Sequence, residues 1–425
     1  MDSTWFARSP LRFSSFRRLW LGMVISRLGD QCTIIALLWF VLELTGSGAI
    51  LGAILLCLSL PAILTSPLLG RWLDRQQPRR IIFITSLARA LVIGAIPALY
   101  WRDLLTLGAI YPLAVLAGAL SPATTVGIRV VLPHLVPDAE LERANGWLSA
   151  SGQFSYLLGP ALAGFLVATL HGPGAMLLDA ASFVVLAGLV RAVPDIARTP
   201  PTVAAGERHA WLGFGALLAL RPVRIITAMT AVFFFAYGPL EPALPLYSRD
   251  VLGVGAAGYG LLWTGYGVGA LLGLLAIPLV ARRPRPGVAF ATIAVLWGLL
   301  LAPLAFLTAL PLAMLSIGLA ACAWAPYTIV ETSLLQRLAP PHQRGQIFGA
   351  RETVTVAVVP LGVLAGGVLL GVFSASVVIG VSALACIIVG IGGLLSPTLR
   401  SITREAQEPN IVGAEVLVSV PHGVE

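Results

Sequence analysis

Residues 49–100 read AILGAILLCLSLPAILTSPLLGRWLDRQQPRRIIFITSLARALVIGAIPALY and contain a pattern that recurs along the whole chain. Two apolar runs, 49–69 and 81–100, are joined by a short loop rich in arginine. A helix needs about 20 mostly apolar residues to cross a bilayer. Each run therefore has the length of one membrane-spanning helix.

The same length criterion, applied to the rest of the chain on both sides of this stretch, predicts twelve spans in total. They are 19–43, 49–69, 81–100, 105–127, 146–170, 174–193, 225–247, 257–280, 288–307, 310–330, 353–371 and 374–396. Of the 425 residues, 58% are hydrophobic and 11% are charged, against about 25% charged in a soluble domain. The composition excludes a soluble fold and predicts an all-α membrane protein.

The basic residues exclude two classes of enzyme. All 27 are arginine, and the chain has no lysine. A P-loop needs lysine on the nucleotide phosphates, and a pyridoxal enzyme needs lysine for its Schiff base. The four cysteines lie inside apolar runs without a CxxC or His/Cys cluster, so we expect no metal and no cofactor.

Arginine predicts the orientation of the spans. With a cytoplasmic N-terminus, 23 arginines fall on the cytoplasmic side, Arg102 and Arg249 lie opposite, and Arg27 and Arg89 lie within spans. This is a strong positive-inside bias, which places both termini in the cytoplasm. It also explains the net charge of +8 without a nucleic-acid partner.

The chain divides into two six-span halves. We predict a first bundle over 1–193, a cytoplasmic linker with an amphipathic helix over 194–224, a second bundle over 225–396, and a disordered cytoplasmic tail over 397–425. The halves match at an offset of about 200 residues, with Pro122 matching Pro326 and Pro160 matching Pro360. Parallel repeats of this kind place a substrate site between the halves near the bilayer midplane.

The loop between spans 2 and 3 resembles the signature of the major facilitator superfamily, and the resemblance extends over nearly the full chain. The matching residues are Gly70, Asp74, Arg75, Arg79 and Arg80. Gln77 and Pro78 depart from the usual pattern. The resemblance implies the major facilitator fold and a cytoplasmic gate at this loop. The alternative is a loop that is merely positive.

Span 5 contains Ser155, Gly159, Pro160, Ala163 and Gly164, which resembles an element common in exporters of the superfamily. It implies antiport, and the alternative is ordinary helix packing through small residues.

Other stretches resemble the macrolide-efflux and enterobactin-exporter branch, which also contains lysophospholipid transporters. They are Trp20–Asp30, Leu132–Asn145, Ala181–Phe183 and Arg344–Gly349. That branch often has an aspartate three residues before the arginine of span 3. This chain has Ser86 before Arg89.

Charges inside the spans are the candidate proton-coupling residues, since a central charge costs about 2.5–3.5 kcal/mol. Arg27 and Asp30 share one face of span 1, with Asp30 near the midplane. They form either a structural pair or a site where Asp30 alternates between a proton and an arginine. Arg89 attracts an anionic substrate or meets Asp30 across the bundle.

Two further acids are candidates. Glu241 lies in the outer half of span 7 among three prolines, which predict a broken helix. It is either a proton carrier or an outer-loop acid in water. Asp179 lies near the start of span 6, where we expect an interfacial position.

Aromatic side chains on spans 7 and 10 are candidates for lining a substrate cavity. They are Phe234, Tyr237, Trp324 and Tyr327. Lipid-facing and membrane-interface positions are equally compatible with their spacing.

The sequence predicts an exporter in the bacterial plasma (inner) membrane, driven by proton antiport with alternating access. Its partners would be protons, the lipid bilayer and a bulky amphiphilic substrate such as a drug, macrolide or siderophore. One alternative is a lysophospholipid flippase of the same fold. A membrane-embedded enzyme is disfavoured, because we find no intramembrane His/Cys constellation and no long catalytic loop.

Overall fold

The computed structural model describes residues 9–194, 206–278, 285–340 and 343–403. Within these ranges the chain is helical and contains no strand. The start of the predicted disordered tail is ordered, because Pro397–Arg400 forms a short helix and Leu399 is buried. The tail beyond residue 403 lies outside the described residues. The helices of the first half are α1 (Ser14–Thr45), α2 (Gly48–Arg75), α3 (Pro78–Tyr100), α4 (Leu107–Leu120), α5 (Pro122–Val131) and α6 (Asp138–Arg191).

The remaining helices begin in the linker. They are α7 (Gly206–Ala219), α8 (Arg221–Tyr237), α9 (Leu240–Leu246), α10 (Gly255–Leu274), α11 (Pro286–Leu301), α12 (Leu310–Trp324), α13 (Tyr327–Leu338), α14 (Arg344–Leu369), α15 (Ala375–Leu395) and α16 (Pro397–Arg400). Helix α7 lies within the predicted linker, whose amphipathic character and cytoplasmic position stay predictions.

The predicted spans coincide with these helices, and ten helical segments in the described ranges are long and apolar enough to cross a membrane. Predicted spans 5 and 6 both lie in α6, which breaks at His171, where φ is 59° and ψ is 170°. Predicted span 8 corresponds to α10, which is not one of these ten segments. Its many glycines lower its mean hydropathy below the values of the ten. The all-α membrane fold is confirmed, and the number twelve stays a prediction.

Prolines divide three of the spans. Helix α5 begins at Pro122, α12 ends just before Pro326, and α8 ends at Tyr237, just before Pro239. Proline lacks an amide donor and clashes with the preceding turn, so a helix ends or bends there. Matching breaks at Pro122 and Pro326 fit the predicted repeat, and the predicted break in span 7 is confirmed.

Each half packs around its own helices and presents apolar side chains outward. Helices α1 and α3 pack on α6, while α10 packs on α12 and α11 packs on α15. Large apolar side chains point away from the bundle, such as Leu91 at 75% exposed and Phe306 at 87% exposed. A soluble surface rarely carries so many, so these faces contact lipid.

The two halves meet through α6 against α10 and through α2 against α14. A methyl group on Gly164 would lie 2.8 Å from the Cα of Gly260, and one on Gly52 would lie 2.8 Å from the Cα of Gly367. Both crossings lie toward the end of the bundle opposite the arginine-rich loops. The halves are therefore closely packed at that end.

Candidate functional site

A cavity of about 620 Å³ lies between the first four spans and α14. Its wall is mainly aliphatic, with Leu55, Ile63 and Val356 among the lining residues. Asp30 of α1 and Arg89 of α3 also line it and introduce opposite charges. An apolar cavity with a few convergent polar groups is typical of a small-molecule site.

Asp30 and Arg89 form an ion pair across the first bundle. Arg89 Nη2 donates to Asp30 Oδ1 at 2.6 Å. The Asp30 side chain is 34% exposed, whereas that of Arg89 is 9% exposed. The carboxylate therefore faces the cavity and the arginine lies behind it.

Phe183 of α6 supports the arginine from the other side. The Arg89 guanidinium carbon lies 4.1 Å from the centre of the Phe183 ring, and Phe183 is fully buried. This is a cation–π contact. The acid that pairs with Arg89 therefore comes from span 1, in agreement with one of the two predicted roles of Arg89.

The predicted pairing of Arg27 with Asp30 is wrong for this arrangement. Arg27 Nη1 donates to the backbone oxygen of Leu148 at 3.0 Å and to Ser151 Oγ at 3.4 Å, both on α6. Spacing along α1 brings Arg27 and Asp30 to one face, but their hydrogen bonds run to different neighbouring helices. Arg27 ties α1 to α6 instead.

Asp179 is fully buried inside the protein, and its predicted interfacial depth in the membrane stays a prediction. Thr33 Oγ1 donates to its Oδ2 at 2.6 Å, and Ser182 Oγ donates to its Oδ1 at 3.0 Å. A methyl group on Gly29 would lie 3.0 Å from Asp179 Cγ and 2.6 Å from Ser182 Oγ. Depth along a helix does not reveal which face a residue occupies, and Asp179 faces α1.

Sequence reasoning missed Thr33, Ser182 and Gly29 as parts of this cluster. Thr33 follows Asp30 by three residues, and Ser182 follows Asp179 by three. Residues three apart lie on the same helix face. The spacing of three residues between a carboxylate and a hydroxyl on each helix was the sequence signal that could have indicated this cluster.

Glu241 lies in the first turn of α9, so it belongs to a helix and not to an outer loop. Tyr237 Oη donates to Glu241 Oε1 at 3.3 Å. Tyr259 and Tyr266 of α10 lie within electrostatic range of its carboxylate. A role for Glu241 in proton coupling stays a prediction.

The residues of the predicted cytoplasmic gate span the junction of α2, which ends at Arg75, and α3, which begins at Pro78. Arg79 Nη1 donates to the backbone oxygen of Val193 at 2.7 Å, a contact within the first half. Arg80 is exposed. The structure describes the backbone at Gly70, Asp74 and Arg75 but not the side chains of Asp74 and Arg75, and gating stays a prediction.

The antiporter-like element of span 5 lies on α6 and contacts two partners. Gly159 packs against the aliphatic part of Gln31 on α1, and Gly164 packs against Gly260 on α10. Pro160 is buried within the continuous helix. The element thus contributes to the contact between halves, and its role in antiport stays a prediction.

The four aromatic candidates lie in the second half, and none of them lines the cavity beside Asp30. Tyr327 is fully buried, and its ring stacks on Trp324 at 4.0 Å between centroids. Trp324 also contacts Phe234, and Tyr237 contacts Trp297. Tyr327 therefore belongs to a packed aromatic core, because the rings of α8, α11, α12 and α13 meet inside the bundle.

Comparisons with known proteins agree with this geometry. The sequence profile of the Major Facilitator Superfamily matches residues 19–358. The chain belongs to the major facilitator superfamily. Proteins of this superfamily are membrane transporters, so this facilitator is a multi-pass transporter and not an enzyme.

This facilitator is similar in sequence to the multidrug efflux pump Tap of Mycolicibacterium fortuitum. The two are 26% identical over 413 residues, covering 93% of this chain and 97% of that protein.

Solved structures share its fold. A bacterial homologue of the iron transporter ferroportin in an inward-facing state has a TM-score of 0.73 and 21% identity, covering 93% of this chain and 100% of that one. The nucleoside transporter NupG has a TM-score of 0.72 and 16% identity, covering 89% and 98%.

Proposed function

We propose that this facilitator is a secondary active exporter that moves a bulky amphiphilic small molecule out of the cell in exchange for protons. The observation that carries the proposal is the Asp30 carboxylate, which faces an apolar cavity and is neutralised by the buried Arg89. The similarity to a multidrug efflux pump over nearly the whole chain supports the direction of transport.

The cavity supports an amphiphilic substrate. Its aliphatic wall favours apolar substituents through burial of their surface, while Asp30, Ser59 and Arg89 offer hydrogen bonds. Its volume of about 620 Å³ is within the range of about 300–1,000 Å³ that holds drug-sized ligands.

Proton coupling follows from the cost of a buried charge. A carboxylate in an apolar site is either paired with a cation or protonated. Asp30 is paired with Arg89 in the arrangement described. Protonation of Asp30 would release that pair, so a proton entering from the opposite side of the membrane can alter the helices that hold the cavity.

Alternating access is supported by the contacts between the halves. The close approaches of Gly164 to Gly260 and of Gly52 to Gly367 lie toward the end opposite the arginine-rich loops. If those loops are cytoplasmic, as the arginine distribution indicates, the described arrangement is closed to the outside. We place the protein in the bacterial plasma (inner) membrane with both termini in the cytoplasm.

Everted membrane vesicles test the proposal. With an inside-acid gradient, vesicles containing the protein should accumulate a fluorescent amphiphilic drug, and an uncoupler should abolish the accumulation. Asp30→Asn should reduce gradient-driven accumulation at least tenfold while leaving downhill exchange intact. Asp30→Glu, which keeps the carboxylate, is the matched control. Accumulation that persists in Asp30→Asn would exclude Asp30 as the coupling residue.

A further inference from the structure

The charged cluster of the first bundle contains more acid than base. Asp30 and Asp179 contribute two carboxylates, and Arg89 contributes one guanidinium. Arg27 lies within electrostatic range of Asp30, but it is not hydrogen-bonded to either acid, since its hydrogen bonds run to Leu148 and Ser151. The Cys32 thiol also lies within electrostatic range of both acids. With both acids ionised, Asp30, Asp179 and Arg89 together would carry a net negative charge in an apolar bundle.

Asp179 differs from Asp30 in its solvent exposure and in its hydrogen-bond partners. It has no exposure to solvent, and its carboxylate accepts hydrogen bonds from the hydroxyls of Thr33 and Ser182. A buried carboxylate without a cation bonded to it is costly, and a second carboxylate nearby raises that cost. A proton on Asp179 removes the excess charge.

We infer that Asp30 and Asp179 share one proton, and that Arg89 pairs with whichever of the two is ionised. The inference rests on the proposed antiport for its role in transport, but the protonation state it describes is a property of the resting protein. In the described arrangement, Arg89 pairs with Asp30, and the proton is on Asp179.

The surroundings fit both arrangements of the proton. The hydroxyls of Thr33 and Ser182 can each donate or accept, so they suit a carboxylate and a carboxylic acid alike. Arg89 has one buried donor, Nε, without a hydrogen-bond partner among the described residues. Its guanidinium lies on the face of Phe183, four residues after Asp179 on α6, a surface over which it can turn without losing its cation–π contact.

The proton transfer balances in atoms and charge. A proton leaves Asp179 and arrives at Asp30, while Arg89 moves from Asp30 to Asp179. The cluster stays neutral during this step. Asp30 then releases the proton into the cavity, and the cluster regains one from the other side of the membrane when the cavity opens there.

Infrared difference spectroscopy of the full-length protein in lipid bilayers at neutral pH tests the inference. A protonated carboxylic acid has a C=O stretching band that a carboxylate lacks. Asp179→Asn should remove the intensity of one carboxylic acid. Asp30→Asn should remove the same intensity, because Arg89 would then pair with an ionised Asp179. The double variant, if it folds, should lose no more than either single variant.

Arg89→Gln should change the intensity of the carboxylic acid band in the opposite direction. Without the guanidinium both acids should be protonated, and the band should gain the intensity of one further carboxylic acid. Arg89→Lys keeps the charge and should leave the intensity unchanged. A band that survives in Asp30→Asn would show that Asp179 holds its proton independently, and no change in either Asp variant would show that both acids are ionised. Either result overturns the inference.

The vesicle assay separates this inference from the proposed function. If the infrared pattern is as expected but Asp30→Asn still accumulates drug, then the shared proton is correct and the antiport role fails. If accumulation depends on Asp30 but the band survives in Asp30→Asn, the antiport role stands and the sharing fails.

Discussion

Glu331 of α13 and Arg351 of α14 form a bidentate ion pair, with Arg351 Nε and Nη2 donating to Glu331 Oε1 and Oε2 at 2.9 and 2.5 Å. Thr230 of α8 also donates to Glu331 Oε1 at 2.8 Å. Three helices of the second half therefore meet at one buried carboxylate. We interpret this network as a structural contact that holds the second bundle together.

Glu331→Gln should destabilise the second half, because it leaves the largely buried guanidinium of Arg351 without its bidentate partner. Removing one member of a buried ion pair costs about 3–5 kcal/mol. Thermal unfolding in detergent, followed by size-exclusion chromatography, measures the loss. Glu352→Gln is the matched control, since Glu352 binds the same arginine but is 66% exposed. A loss of stability in Glu352→Gln equal to that in Glu331→Gln would contradict the assignment.

Arg27→Gln and Arg89→Gln should differ in their effect on transport. Arg89 bonds to the Asp30 carboxylate, whereas Arg27 bonds to the backbone of α6. Arg89→Gln should abolish gradient-driven drug accumulation in everted vesicles. Arg27→Gln should keep the dependence on the pH gradient, with a reduced yield of folded protein. The reverse outcome would make Arg27 the partner of Asp30 during transport.

Gly52→Leu should prevent the halves from closing at the end opposite the arginine-rich loops, because even a methyl group at this position crowds Gly367. We expect the cavity to open toward that end. The measurement is labelling of Ser59→Cys, a cavity residue, by an impermeant thiol reagent in a background without the four native cysteines. Labelling from the arginine-rich side should fall several-fold, and labelling from the opposite side should rise.

Gly188→Leu controls for the added side chain in that experiment. A Cβ atom placed on Gly188 would have no heavy atom of the described residues within 4 Å beyond its chain neighbours and the backbone of its own helix, and the residue is exposed. Its labelling pattern should match that of the parent protein. If Gly52→Leu also matches the parent, the α2–α14 contact does not govern access to the cavity.

A reporter fused after Arg400 should lie in the cytoplasm, since 23 of 27 arginines fall on the predicted cytoplasmic side and positive loops remain inside. An alkaline phosphatase fusion at this position should be inactive, and a green fluorescent protein fusion should fluoresce. Fusions after Arg102, on the opposite side, should show the reverse pattern. A periplasmic C-terminus would mean that one predicted span does not cross the membrane.

Local features of the chain follow from its sequence alone. The length of an apolar run such as 81–100 determines whether it can cross a bilayer, and a proline such as Pro239 interrupts a helix through its own ring. Both properties depend on contiguous residues. The orientation of the spans also follows from the sequence alone, because the arginines of each loop favour the cytoplasmic side independently of the other loops.

The pairing of charges, in contrast, depends on the tertiary structure. Asp30 pairs with Arg89, 59 residues away, and not with Arg27 on its own helix. Asp179 lies buried against Gly29, and Tyr327 lies inside an aromatic core. A sequence specifies which residues share a helix face, but the partner of that face depends on how distant helices are rotated and packed. The physical reason is that packing across the bundle, and not spacing along the chain, determines the distance between two side chains on different helices.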